Sequence, residues 1–176
     1  MIKHNPPSPE PLHRAIARFG DVAVLVVGDF ILDRFVNGVI ERISPEAPIP
    51  VLHGRGETAA MGGAGNVIAN IVSLGASAIP VSAIGADTAG NTLVRMLGEL
   101  GVDTSGLAQD GDRMTSSKSR FSALNQQVLR FDEEEIKPLG DAERETPGVN
   151  QHRHVGPFPR GKRSRLAHSL DDLRVG

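Results

Sequence analysis

The sequence predicts an α/β fold with a parallel sheet, and three stretches carry that prediction. "VAVLVV", Val22 to Val27, is an uninterrupted apolar run closed by Gly28. A strand buried on both faces reads this way, and such strands belong to parallel sheets covered by helices. "SAIPVSAIG", Ser77 to Gly85, is a second strand of the same kind. Between and after these runs, apolar residues recur at helical spacing, giving the alternation of strand and helix that marks an α/β domain.

Taken in order, residues 11–19 suit a short helix closed by Gly20, and Val22–Val27 is the first strand. "RFVNGVI" places Asn37-Gly38 between β-branched and aromatic residues, which predicts a hairpin or a strand end. "SPEAPIPVLHG" holds Pro45, Pro48 and Pro50 and suits an edge strand outside the main sheet. From Gly63 to Leu74 the residues Val67, Ile71 and Leu74, flanked by Ala64 and Ile68, follow a helical period that Gly75 stops. After the second strand, Asp87 reads as the N-cap of a helix through Leu100, with Leu93, Leu97 and Leu100 on one face. "TSSKSRFSAL" and "QVLRFDEE" alternate about "NQ" and predict an antiparallel pair that leaves the main sheet.

Composition narrows the function. The 176 residues include no cysteine, so disulfides and thiolate metal sites are excluded. Aromatic residues make up 3%, with no Trp or Tyr, and the net charge is −2. Neither a base-stacking platform nor attraction to nucleic acid or an anionic membrane is expected. No apolar run reaches the length of a membrane span, and a cytoplasmic protein is expected. The charge is uneven: residues 147–176 carry six basic side chains against Asp171 and Asp172, leaving residues 1–146 at −6. That basic, Pro- and Gly-rich segment has no apolar period and is expected to be disordered. Its "QHRH" reads as solvated rather than as a metal site, and no metal ligands are assigned.

Three motifs carry candidate chemistry. "MGGAGN", Met61 to Asn66, opens a helix, yet no Lys-Ser/Thr follows its glycines, so it is not a nucleotide P-loop. It also lies too far beyond the first strand for a dinucleotide fingerprint. A tight loop is the simplest alternative, but Asn66 beside amides freed by glycine could hold the hydroxyls of a small polar ligand. "GDFILDRF" puts Asp33 beyond the carboxyl end of the first strand, where ligands of open α/β sheets bind. A loop-solvating Asp is the competing reading. "NQQVLRFD" places Arg130 on one strand face and Leu129 and Phe131 on the other.

Together, "VLVVGDFILDRF", "ERISPEAPIPVL", "MGGAGNVIANIVSLGA", "IGADTAGNTL" and "NQQVLRFDEE" resemble the N-terminal half of the ribokinase-like (PfkB) carbohydrate kinases. "RISPEAPIPV" and "NQQVLRFD" are the more specific, and resemble the heptose-7-phosphate kinases of ADP-heptose synthesis for lipopolysaccharide. The resemblance spans about residues 20 to 135, and the wider glycine signature falls on Gly62, Gly63, Asn66, Gly75 and Gly85. It departs at Ile68, where the family carries a small residue.

The resemblance implies a partial ribokinase-like fold, incomplete on its C-terminal side, with a small β lid from strands near 34–52 and 115–132. It implies one domain over 1–146, followed by a tail. It also implies sugar-phosphate binding by Asp33, Gly62, Gly63 and Asn66, with Arg130 as a contact for the sugar's existing phosphate. The full-length family uses ATP and Mg. Its glycine anion hole and aspartate base lie in the C-terminal half, and residues 136–176 hold no such motif. Neither catalytic residues nor a bound cofactor are therefore expected in this chain, and a truncated or frame-shifted reading frame near residues 145–150 is expected. Two alternatives remain open: a non-catalytic module that forms a homodimer through the lid edge, and a kinase for another sugar.

Overall fold

Two sheets divide the chain. The computed structural model describes residues 10–140, so the basic segment beyond residue 147, with its expected disorder, lies outside the described residues. A three-stranded parallel sheet has the order β1-β4-β5, from β1 (Ala23–Val27), β4 (Ser77–Gly85) and β5 (Leu107–Asp110). A four-stranded mixed sheet has the order β3-β2-β6-β7, from β2 (Phe30–Ile43), β3 (Pro50–Gly63), β6 (Ser117–Ala123) and β7 (Gln126–Glu133). Helices α1 (Glu10–Ile16), α2 (Ala64–Ser73) and α3 (Thr88–Glu99) complete the fold. The α/β class with a parallel sheet and a separate β unit is thus what the chain adopts.

The core lies where the sheets meet the helices. Val26 of β1, Phe30 and Leu32 of β2, Ile68 of α2, Ile84 of β4, and Leu93 and Leu97 of α3 form one buried cluster. The second sheet is therefore rooted in the first sheet's core through the opening turn of β2. Ile68, the departure from the family pattern, is fully enclosed there. Its branched side chain fills space that a small residue would leave, and burying such a side chain contributes about 2 kcal/mol.

Several local expectations shift. The first helix is shorter than 11–19: it ends at Ile16, and a single 3-10 turn spans Phe19–Asp21. Asn37-Gly38 is no hairpin; it lies inside the 14-residue β2, at a register shift against β3. The glycine serves close approach, since a Cβ there would stand 2.5 Å from the His53 carbonyl oxygen. The proline-punctuated strand does sit at a sheet edge, but it runs on from Pro50 to Gly63, so Gly62 and Gly63 end a strand that leads directly into α2.

On α2 the buried residues are Ala64, Gly65 and Ile68, while Val67 and Leu74 are exposed, so the apolar stripe was placed about one residue off. Asp87 caps α3 as expected, and Leu93 and Leu97 are buried, though Leu100 is not. The antiparallel pair turns on Leu124-Asn125, one residue before "NQ", with both φ angles positive. A two-residue turn with this conformation matches the strand twist. Finally, β5 went unread because four residues carry too little alternation to register.

Candidate functional site

The site residues are set by strand parity. In the second sheet, Asp33 and Phe35 of β2 lie beside Lys118 and Arg120 of β6, which lie beside Asp132 and Arg130 of β7. Register partners share a face, so one face carries a row of charge across three strands. The opposite face carries Phe30, Leu32, Ser117 and Ser119, all buried. The same alternation that roots the sheet in the core therefore presents the charged row on the other side.

Within that row the charges are paired. An Arg120 guanidinium nitrogen donates to Asp33 Oδ1 and the guanidinium lies 5.3 Å over the Phe35 ring. Lys118 Nζ donates to Asp132 at 3.2 Å and to Glu134 at 3.0 Å. The hydrogen bonds to Glu134 and Asp132 raise its pKa above the usual lysine value. Arg130 Nε stands 3.0 Å from Asp132 Oδ1, with its own side chain largely exposed on the edge strand.

Asp33 and Gly62 are brought together. Gly62 is buried, and a Cβ on it would stand 2.5 Å from Asp33 Oδ2 and 3.3 Å from the Ile31 Cβ. Only the absent side chain lets the carboxylate lie over this backbone. Gly63 is the residue before α2 and has φ 56° and ψ −132°, a backbone that glycine tolerates and other residues resist. A Cβ on it would collide with the Asp29 carbonyl oxygen. That carbonyl accepts the Ala64 amide at 2.9 Å, so the start of α2 is tied to the residue just before β2.

Asn66 stands apart. It is exposed on the first turn of α2, where its carbonyl oxygen accepts Asn70 Nδ2 at 2.8 Å and its Oδ1 lies 3.5 Å from the same donor. Arg130 shares the face of Asp33 but not its contacts. The residue that reaches Asp33 is Arg120, which sequence reasoning passed over. Its signal was present in "SKSRF", where Lys118 and Arg120 alternate with small serines on one strand.

A cavity of about 290 Å³ opens between the two sheets, lined by Asp29, Thr115, Ser116, Glu134 and Lys137 among others. None of the five sequence-predicted site residues lines it. Thr115 is buried at its rim, where its Oγ1 accepts the Gly85 amide at 2.8 Å. Among the described residues no cluster of three His, Cys, Asp or Glu side chains could hold a metal ion. The glycines that lead into α2 are followed by no lysine for phosphate. No chemical step is assigned to Mg-ATP.

Comparison with known proteins bears on the family and the fold. The pfkB family carbohydrate kinase profile matches residues 23–155. Among curated relatives, the bifunctional protein HldE of Mesorhizobium japonicum is 85% identical over 144 residues, covering 82% of this chain and 29% of that protein. HldE of Paramagnetospirillum magneticum is 52% identical over 119 residues, covering 68% and 24%. The chain thus spans less than a third of the length of these relatives. Among solved structures, a putative sugar kinase from Clostridium perfringens aligns with TM-score 0.52 at 16% identity, covering 74% of this chain and 39% of that one. Arabidopsis thaliana ribokinase complexed with ribose and ATP aligns with TM-score 0.51 at 18% identity, covering 62% and 35%. These likenesses concern the fold, and no helix among the described residues is long and apolar enough to cross a membrane. The profile match covers most of the sequence, and the chain belongs to the pfkB family of carbohydrate kinases.

Proposed function

We propose that this chain forms the sugar-binding part of a kinase for D-glycero-β-D-manno-heptose 7-phosphate. The whole enzyme would use ATP to phosphorylate the anomeric hydroxyl, in cytoplasmic ADP-heptose synthesis for lipopolysaccharide. The observation that carries this reading is the 85% identity to an HldE protein over 144 residues, which contain the Asp33–Gly62 pairing. Asp33 accepts hydrogen bonds from sugar hydroxyls, Gly62 and Gly63 give the clearance that brings the sugar against backbone, and Asn66 adds a polar contact at the helix start. Arg130, on the same face, meets the sugar's phosphate. Residues 1–146 form the sugar-binding unit.

The 176-residue chain alone binds the sugar phosphate but does not transfer phosphate, because positioning groups for the transferring phosphoryl supply most of that catalysis. Calorimetric titration with heptose 7-phosphate should give a saturable heat, and an assay with Mg-ATP should give no product. Absence of binding, or turnover by the chain alone, would overturn the reading. Binding of ribose or fructose in preference to the heptose would shift it to another sugar.

A second reading is favoured by one observation. Val128, Leu129 and Phe131 are exposed on β7, at the edge of the second sheet. An edge with apolar side chains can pair with a second copy. Light scattering that finds a dimer without any sugar binding would support a non-catalytic module.

A further inference from the structure

We infer that Arg120 is the positioning residue for Asp33: it fixes the carboxylate so that one oxygen alone is offered to the sugar. The inference rests on the reading of Asp33 as a sugar contact. Arg120 is held at three places: by β6 beside Phe35, by the Phe35 ring face at 5.3 Å, and by Asp33 Oδ1. Its side chain is 28% exposed and that of Asp33 20%, so the pair is partly shielded from water. In such a setting the charge-assisted bond is strong, and a carboxylate stripped of its partner would turn toward water or another donor.

The geometry divides the two carboxylate oxygens. Oδ1 accepts from Arg120, and Oδ2 lies against Gly62, in the space that a side chain there would fill. The other cations of the face are held elsewhere: Lys118 pairs with Asp132 and Glu134, and Arg130 with Asp132. Arg120 is thus the cation on this face that reaches Asp33. Because it springs from β6, it also ties the sugar contact on β2 to the neighbouring parallel strand. A rotation of Asp33 then breaks its bond to Arg120, which the Phe35 ring still holds.

The test is a double-mutant cycle on sugar-phosphate affinity, with urea denaturation run on every variant. R120Q should weaken heptose 7-phosphate binding at least tenfold while the chain stays folded, and R120K should restore part of the loss. In a D33N background, R120Q should cost less than about twofold more, because the arginine acts through the aspartate. F35L, which removes the ring but no charge, should weaken binding by less than R120Q and serves if R120Q does not fold. Wild-type affinity in R120Q overturns the inference while leaving the functional reading intact. Losses that multiply across D33N and R120Q also overturn it, since the arginine then meets the ligand independently. A wild-type chain that binds no heptose 7-phosphate overturns both.

Discussion

Thr115 donates its backbone N–H to Asp87 Oδ2 at 2.8 Å, across 28 residues of chain. The other oxygen of the same carboxylate accepts the Gly90 amide at 2.7 Å and so caps α3. One side chain therefore starts α3 and fixes Thr115, two residues before β6 of the second sheet. Asp87→Ala removes a cap and strands a partly buried amide at once. A cap is worth about 1 kcal/mol and a hydrogen bond to a charged group about 2, so a loss of about 3 kcal/mol is expected in urea denaturation. Asp87→Asn keeps an acceptor and should lose about half as much. The pH dependence gives a second check. Burial pushes the Asp87 carboxyl up, but the amides of Thr115 and Gly90 outweigh it and hold the carboxyl below its usual range. The folded state thus binds this proton less tightly than the unfolded chain does. Its stabilisation is complete above the unfolded value, about 3.9, and is lost as pH falls through the folded one. The gap between wild type and Asp87→Ala should accordingly close in acid.

A surface pair should behave differently. Arg34 Nε and Glu57 Oε1 are 2.7 Å apart, but both side chains are more than a third exposed. The hydrogen bond that Arg34 donates to Glu57 lowers the Glu57 carboxyl and raises the Arg34 guanidinium. Water and salt screen this interaction, so Glu57→Gln should cost about 0.5 kcal/mol and less at high ionic strength. A loss as large as that of Asp87→Ala would contradict this ranking.

The two glycines of the site predict opposite patterns. At Gly63 the backbone itself is in the way: φ is positive and a Cβ would meet the Asp29 carbonyl oxygen. Gly63→Ala should cost about 4 kcal/mol from strain and overpacking together, or give no folded chain. At Gly62 the nearest obstacle is the Asp33 carboxylate, a side chain that can turn aside. Gly62→Ala should cost only about 1 kcal/mol of stability but weaken sugar-phosphate binding about tenfold, or ~1.4 kcal/mol. Unfolding curves and calorimetry on both variants check the contrast; equal stability losses would contradict it.

What was legible in the sequence follows from where the signal lives. Val22–Val27 and Ser77–Gly85 are legible as strands because both are rich in β-branched and small apolar residues and end at glycine, although Val26 is the one residue of β1 that is buried. Asp87 read correctly because capping is decided within four residues. Asp33 and Gly62 could each be picked out, but their contact depends on the β2–β3 register, which pairs Ile31 with Gly62. Arg120 was missed for the same reason: a strand arginine is ordinary until the neighbouring strand shows a carboxylate. Asn37-Gly38 misled because the glycine was selected by the His53 backbone across the sheet, and not by a turn.

The first sheet leaves a surface that predicts how the chain behaves in concentrated solution. β1 stands at the end of the order β1-β4-β5, so among the described residues its outer edge has no strand beside it. All five of its residues are apolar, and Val27 is 71% exposed. An unpaired apolar edge is a template for association. Val27→Lys places a charge on that edge at a position where substitutions cost about 0.5 kcal/mol or less, so the unfolding midpoint should barely move. Light scattering at rising concentration should show Val27→Lys remaining monodisperse where the wild type grows. Phe131→Lys does the same for the outer strand of the second sheet and separates the two edges. If the second variant alone suppresses growth, association runs through β7 and the lid. If the first alone does so, the open edge of β1 is the seat of association, and a strand supplied by another polypeptide would compete for it.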